Sequence, residues 1–93
     1  MRILALVAVA LILPAVAHAA PRATDRGLIV AVRPNAIVLR ELDGTRQRIR
    51  VSHATRVVLD GMPSRLRELR RGDVAYVVHF GRRPALRISA FSQ

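Results

Sequence analysis

The chain has 93 residues and a formal net charge of +10; all sixteen of its basic side chains are arginine, and it contains no cysteine. The missing cysteine excludes thiol nucleophiles, thiolate zinc sites and disulfide staples. The length suits one small domain, and the excess of base points to anionic partners whose binding weakens with salt.

Residues 1–19 read as a cleavable secretory signal peptide. Arg2 supplies the positive start, residues 3–13 form an unbroken apolar run, and Pro14 ends it. Such runs span about 7–15 residues. Ala17-His18-Ala19 then sets small residues at the two positions a signal peptidase reads. Cleavage after Ala20 is the alternative, but it puts His18 at the more restrictive position. A spanning helix needs about 20 apolar residues; Pro14 and His18 cut this run short, so no transmembrane span is expected after cleavage. The expected location is the periplasm, with the extracellular medium second.

The processed chain, 20–93, keeps fifteen arginines against six acids, a net charge of +9. A domain of this size buries only about 60% of its unfolded surface. With no disulfide, stability must come from an efficient core or from association, so a homo-oligomer stays open. Codon composition accounts for arginine over lysine but not for base over acid.

Residues 20–26 are polar and aperiodic and are expected to be a disordered arm, with the domain at 27–91. From Gly27 onward, short β-favouring runs alternate with turn signals, the pattern of an all-β domain. The first run is 28–33, stopped by Pro34-Asn35, and the second is 36–42. Asp43-Gly44 then reads as a two-residue type I′ hairpin turn into 45–51. That turn pairs Val38 with Ile49, Ala36 with Val51 and Glu41 with Arg46. Alternation puts Gln47, Ile49 and Val51 on one face of the third run and Arg46, Arg48 and Arg50 on the other, shared with Ile37 and Leu39. An arginine face of this kind serves either solvation or anion binding.

Residues 55–59 suggest a short strand or extended loop, ended by Asp60-Gly61. Ser64 is a candidate N-cap for a short helix over 65–71 that places Leu66 and Leu69 on one face, with Arg70 and Arg71 at its C-terminus before Gly72. The run 73–80 is apolar on both faces, so its Tyr76 and Phe80, alongside Val74 and Val78, are expected in the core. Residues 81–84 turn into a last strand, 85–91. The sum is a small five-stranded, partly open barrel of the OB or SH3-like kind, with one short helix before its fourth main strand.

The spacing Gly27-x-Ile29-x-x-Val32, Asp43-Gly44, Thr55-x-Val57, Leu69-x-x-Gly72-Asp73, Ala75-x-Val77 and Ala85-x-x-Ile88 resembles a domain of unknown function found in exported bacterial proteins, of the small OB-like β-barrel type. The resemblance covers about 27–91. It implies fold and envelope location and carries no catalytic or binding residues.

Candidates for catalysis are sparse. After the leader only His53 and His79 remain, with no partner at metal-ligand spacing, so no metal or other cofactor is expected. Asp43, Asp60 and Asp73 are accounted for at turns, and neighbouring Ser52 and His53 point to opposite sides of a strand. The expected protein is not an enzyme. Single-strand nucleic-acid binders stack bases on aromatic platforms; here Tyr76 and Phe80 read as core, and export removes the chain from cytoplasmic nucleic acid. The leading expectation is an envelope module recognising an anionic component or acidic protein through Arg46, Arg48, Arg50, Arg70, Arg71, Arg82 and Arg83. The alternative is a structural or assembly domain acting through apolar β surface.

Overall fold

Residues 22–93 are described by the computed structural model; the leader expected at 1–19 lies outside them. The long β1 (Arg22–Arg33) organises the sheet because its two halves serve different partners. Its first half pairs with β6 (Val74–Phe80), from Arg22 against Phe80 to Leu28 against Val74. Its second half pairs with β2 (Ala36–Arg40), which continues into β3 (Arg46–Arg50). On the far side of β6 follow β7 (Arg87–Phe91), β4 (Arg56–Leu59) and the two-residue β5 (Met62–Pro63). The order is β3-β2-β1-β6-β7-β4-β5, with β4 and β7 the parallel pair.

The all-β class is as expected, but the strands among the described residues number seven and their ladder does not close into a barrel. Single bonds bring its two sides together instead: Ala85 N donates to Arg50 O at 2.8 Å, joining the end of β3 to the segment entering β7. The expected helix is a three-residue 3₁₀ turn, Leu66–Glu68. Ser64 Oγ and Arg65 N both donate to the Glu68 carboxylate at 2.9 Å, which fixes the turn, and the chain leaves it extended at Leu69. Leu69 is buried, with Leu66 packed against the core, as their spacing predicted. Residues 22–26, assigned by sequence to a disordered arm, are the first part of β1. Their exposure alternates against β6, with Arg22, Thr24 and Arg26 outward, a two-residue period that the inward Asp25 conceals in the sequence.

A one-residue correction applies to the first hairpin. Gly44 N donates to Glu41 O, and Glu41 N donates to Thr45 O, both at 2.9 Å, so the loop is Leu42-Asp43-Gly44, with Gly44 at φ 89. This is the three-residue loop that ends in a glycine bulge. Ile37 therefore faces Ile49 and Val38 faces Arg48. Arg46, Arg48 and Arg50 still share one face of β3, but with Val38 and Arg40 and not with Ile37 and Leu39, which are buried. The two-residue turn with both central φ positive occurs at Asp60-Gly61, at φ 51 and 84, joining β4 to β5.

The core lies on one face of the curled sheet: Ile29, Ile37, Leu39, Ile49, Val77 and Ile88 with smaller neighbours. Ile29 and Val32 both face it although they are three apart, because the β1–β2 register shifts between Ile29 and Ala31. A bulge supplies the extra residue that a regular alternation would lack. Tyr76 and Phe80 correct the sequence reading. Ala75 and Val77 face inward with His79, so Tyr76 stands exposed on the outer face.

Gly27 is where backbone approaches backbone. A β-carbon there would overlap the Arg40 carbonyl oxygen, with the carbonyl carbon at 2.9 Å and Glu41 Cα at 3.2 Å. Backbone cannot rotate away as a side chain can. Gly27→Ala is expected to destabilise the fold by about 1–3 kcal/mol, read as a lower urea midpoint by far-UV circular dichroism. A midpoint unchanged from wild type contradicts the close packing.

Candidate functional site

The seven arginines singled out by sequence fall into three places. Arg48 and Arg50 meet Arg82 and Arg83 around a notch of about 260 Å³, whose wall also includes Gln47, Ile49, His79 and Gly81. β3 supplies the first pair by alternation. A tight turn supplies the second: Arg83 N donates to Phe80 O at 3.0 Å, with Gly81 at φ 54 providing the reversal. Arg50 Nη2 donates to Arg82 O at 2.8 Å and ties the two sides together. Arg46 lies at the other end of β3, opposite Arg40. Arg70 and Arg71 sit with Arg33 beside a separate depression near Val32 and Leu69.

Among the described residues, no arginine is within ion-pair distance of a carboxylate; the one ion pair joins His79 to Asp25. Apart from Glu41, whose Oε2 has no donor, each acid is engaged elsewhere. Asp43 accepts from Thr45 N and Oγ1 at 3.0 and 2.6 Å, and Asp60 accepts from Ser92 N and Oγ at 3.0 and 2.5 Å. Glu68 holds the 3₁₀ turn, and Asp73 accepts from Arg70 N at 2.9 Å. The guanidinium groups of the notch are therefore exposed and not neutralised from within. Guanidinium presents a planar fork of donors suited to phosphate, sulfate and carboxylate.

Sequence reasoning missed the group behind the notch. His79 is buried on the core face, with Nε2 against Asp25 Oδ2 and Nδ1 at 2.9 Å from Gly81 O. Both partners are acceptors, so the imidazolium satisfies both, whereas a neutral ring leaves one facing a lone pair. Burial pulls the His79 pKa down, but the bonds to Asp25 and Gly81 and the charges of Asp25 and Glu41 outweigh it and raise the pKa above 6.5. Glu41 is raised above 4.5 by its side-chain bond with Asp25, then by desolvation and by the charges of Asp25 and Asp43. Its Oε2 is sealed from solvent and receives no donor. The inward alternation of Ala75, Val77 and His79 was the available signal; Asp25 was hidden in the supposed arm. His53 is exposed in a turn, and no metal-holding cluster forms among the described residues.

These shifts set a pH dependence. A group whose pKa rises on folding stabilises below its unfolded value and loses that contribution as pH rises through the folded value. His79 and Glu41 both act in this sense, above 6.5 and 4.5 respectively. Asp43, Asp60 and Glu68 are lowered chiefly by bonds from Thr45, Ser92 and Arg65, and their contribution fades as pH falls below 3.8, 3.8 and 4.5. The thermal midpoint should therefore peak on the acid side of neutrality and decline above pH 6.5, and His79→Gln should flatten that decline. An equal alkaline decline in the variant contradicts the assignment.

No family model, curated protein or solved structure matches this chain.

Proposed function

We propose that this protein is a non-enzymatic module of the bacterial cell envelope, placed in the periplasm by its leader, that binds an anionic surface or partner through arginines. The observation that carries this reading is the absence of internal ion pairs to arginine among the described residues, together with the convergence of Arg48, Arg50, Arg82 and Arg83 on one notch. Uncompensated charge of this density draws counter-ions and loses its hold on a polyanion as salt rises. The module is read as non-catalytic because both His79 nitrogens and the carboxylates of Asp25, Asp43, Asp60, Glu68 and Asp73 are engaged in contacts that hold the fold. It retains the likeness to the exported OB-like domain, as a partly open barrel.

The alternative, assembly through apolar β surface, draws on the exposure of Tyr76 and Phe91. The first test uses the exported protein on immobilised inorganic polyphosphate. Retention at low ionic strength, released progressively by sodium chloride, is expected. Free passage at low ionic strength overturns the proposal.

A further inference from the structure

The outer face of β1, β6, β7 and β4 combines apolar and cationic side chains without an acid at any of its strand positions. Strand registers place Arg26, Tyr76, Ser89 and Val58 side by side, with Thr24, Val78, Arg87 and Arg56 in the next row. In the row on the other side, Leu28, Val74 and Phe91 continue the apolar strip. Tyr76 and Phe91 are 39% and 43% exposed. Their rings touch edge to face, with centroids 5.9 Å apart and planes at 87°. The Arg26 guanidinium stands 6.0 Å from the Tyr76 centroid. Arginines thus flank the apolar strip on both sides, Arg22 and Arg26 on β1 and Arg56 and Arg87 on β4 and β7.

This arrangement selects among occupants. A second copy laid face to face would oppose arginine to arginine across an apolar contact, which costs association. A single nucleic-acid strand stacks successive bases on open ring faces; here the two rings are perpendicular and Arg26 stands over Tyr76. An anionic phospholipid surface suits the rings and the flanking arginines together, with Glu41 and Asp43 confined to the border beside Arg26. Phosphates suit the flanking arginines, and a tyrosine with one apolar and one polar end suits the headgroup boundary.

We propose that this face docks on an anionic phospholipid bilayer, with Tyr76 and Phe91 entering the headgroup boundary and Arg26 and Arg87 pairing with lipid phosphates. It rests on the reading that the partner is anionic, but on a surface distinct from the notch.

Tyr76 is the only tyrosine and there is no tryptophan, so tyrosine emission reports this face alone. The exported protein is titrated with vesicles of phosphatidylglycerol and phosphatidylcholine, and with phosphatidylcholine alone, each carrying brominated acyl chains. Quenching of Tyr76 by the anionic vesicles only is expected. Arg26→Gln with Arg87→Gln should weaken vesicle binding by about thirtyfold. Phe91→Ser, at an exposed site, should weaken it while leaving the circular dichroism spectrum unchanged. A variant with Arg48, Arg50, Arg82 and Arg83 changed to glutamine should still be quenched at saturating lipid. Vesicle binding without quenching, or binding abolished by the notch variant alone, overturns the docking face and leaves notch binding of anions standing. Tighter binding to single-stranded oligothymidylate than to anionic vesicles overturns it in favour of nucleic acid. Failure of both vesicles and polyphosphate removes the anionic-partner reading itself.

Discussion

Ile88→Ala is expected to cost about 2–5 kcal/mol of stability, the usual range for emptying a fully enclosed aliphatic site. Ile88 is wholly buried on β7, paired with Val77 of β6 on one side and Val57 of β4 on the other. Its side chain bridges the antiparallel part of the sheet to the parallel strand. A domain of this size has roughly 4–11 kcal/mol of total stability at 0.05–0.15 kcal/mol per residue, and it has no disulfide to limit the loss. The variant should therefore unfold at a much lower urea midpoint, read by far-UV circular dichroism. Leu42→Ala is the comparison, since Leu42 is 87% exposed at the hairpin tip; its effect should stay within about 0.5 kcal/mol. Equal midpoints for the two variants would contradict the assigned core.

The second large effect concerns binding. Changing Arg48, Arg50, Arg82 and Arg83 to glutamine removes four exposed guanidinium groups and the Arg50 bond to Arg82 O, yet touches no core side chain. Charge-assisted hydrogen bonds contribute about 1.5–3 kcal/mol each when fully made. Even partial engagement of four groups predicts that affinity for polyphosphate falls by roughly a hundredfold or more. The salt dependence should fall with it: each lost phosphate contact removes about 0.7–0.9 from the slope of log affinity against log salt. Affinity lost with an unchanged slope would indicate a folding defect and not a lost contact.

Much of the fold was legible because alternation in 46–51 is unambiguous: arginine at every second position of β3 leaves no choice of inward face. Turn chemistry was legible only in kind. Asp43-Gly44 and Asp60-Gly61 are the same dipeptide, yet one closes a three-residue loop and the other a two-residue turn. The flanking residues do not distinguish them, and a one-residue slip in register reassigns every cross-strand pair. Tyr76 was misplaced for a different reason. When both faces of a strand are apolar, periodicity gives the two faces but not which one the sheet covers, and small Ala75 and Val77 were the inward pair. Of the site, Arg48 and Arg50 were readable as a pair. Their meeting with Arg82 and Arg83 depends on how the sheet curls, which no local pattern encodes. His79 and Asp25 are 54 positions apart and meet only through the β1–β6 ladder.

On the proposed reading, location and not charge alone confers anion binding. Two quadruple variants of equal net charge test it most directly by calorimetric titration with inorganic polyphosphate at low salt. One changes Arg48, Arg50, Arg82 and Arg83 to glutamine; the other changes Arg33, Arg40, Arg65 and Arg67, which are exposed and lie outside the notch. A large loss of affinity is expected in the first and a small one in the second. Equal losses in both would contradict it, leaving a diffuse field in place of a site.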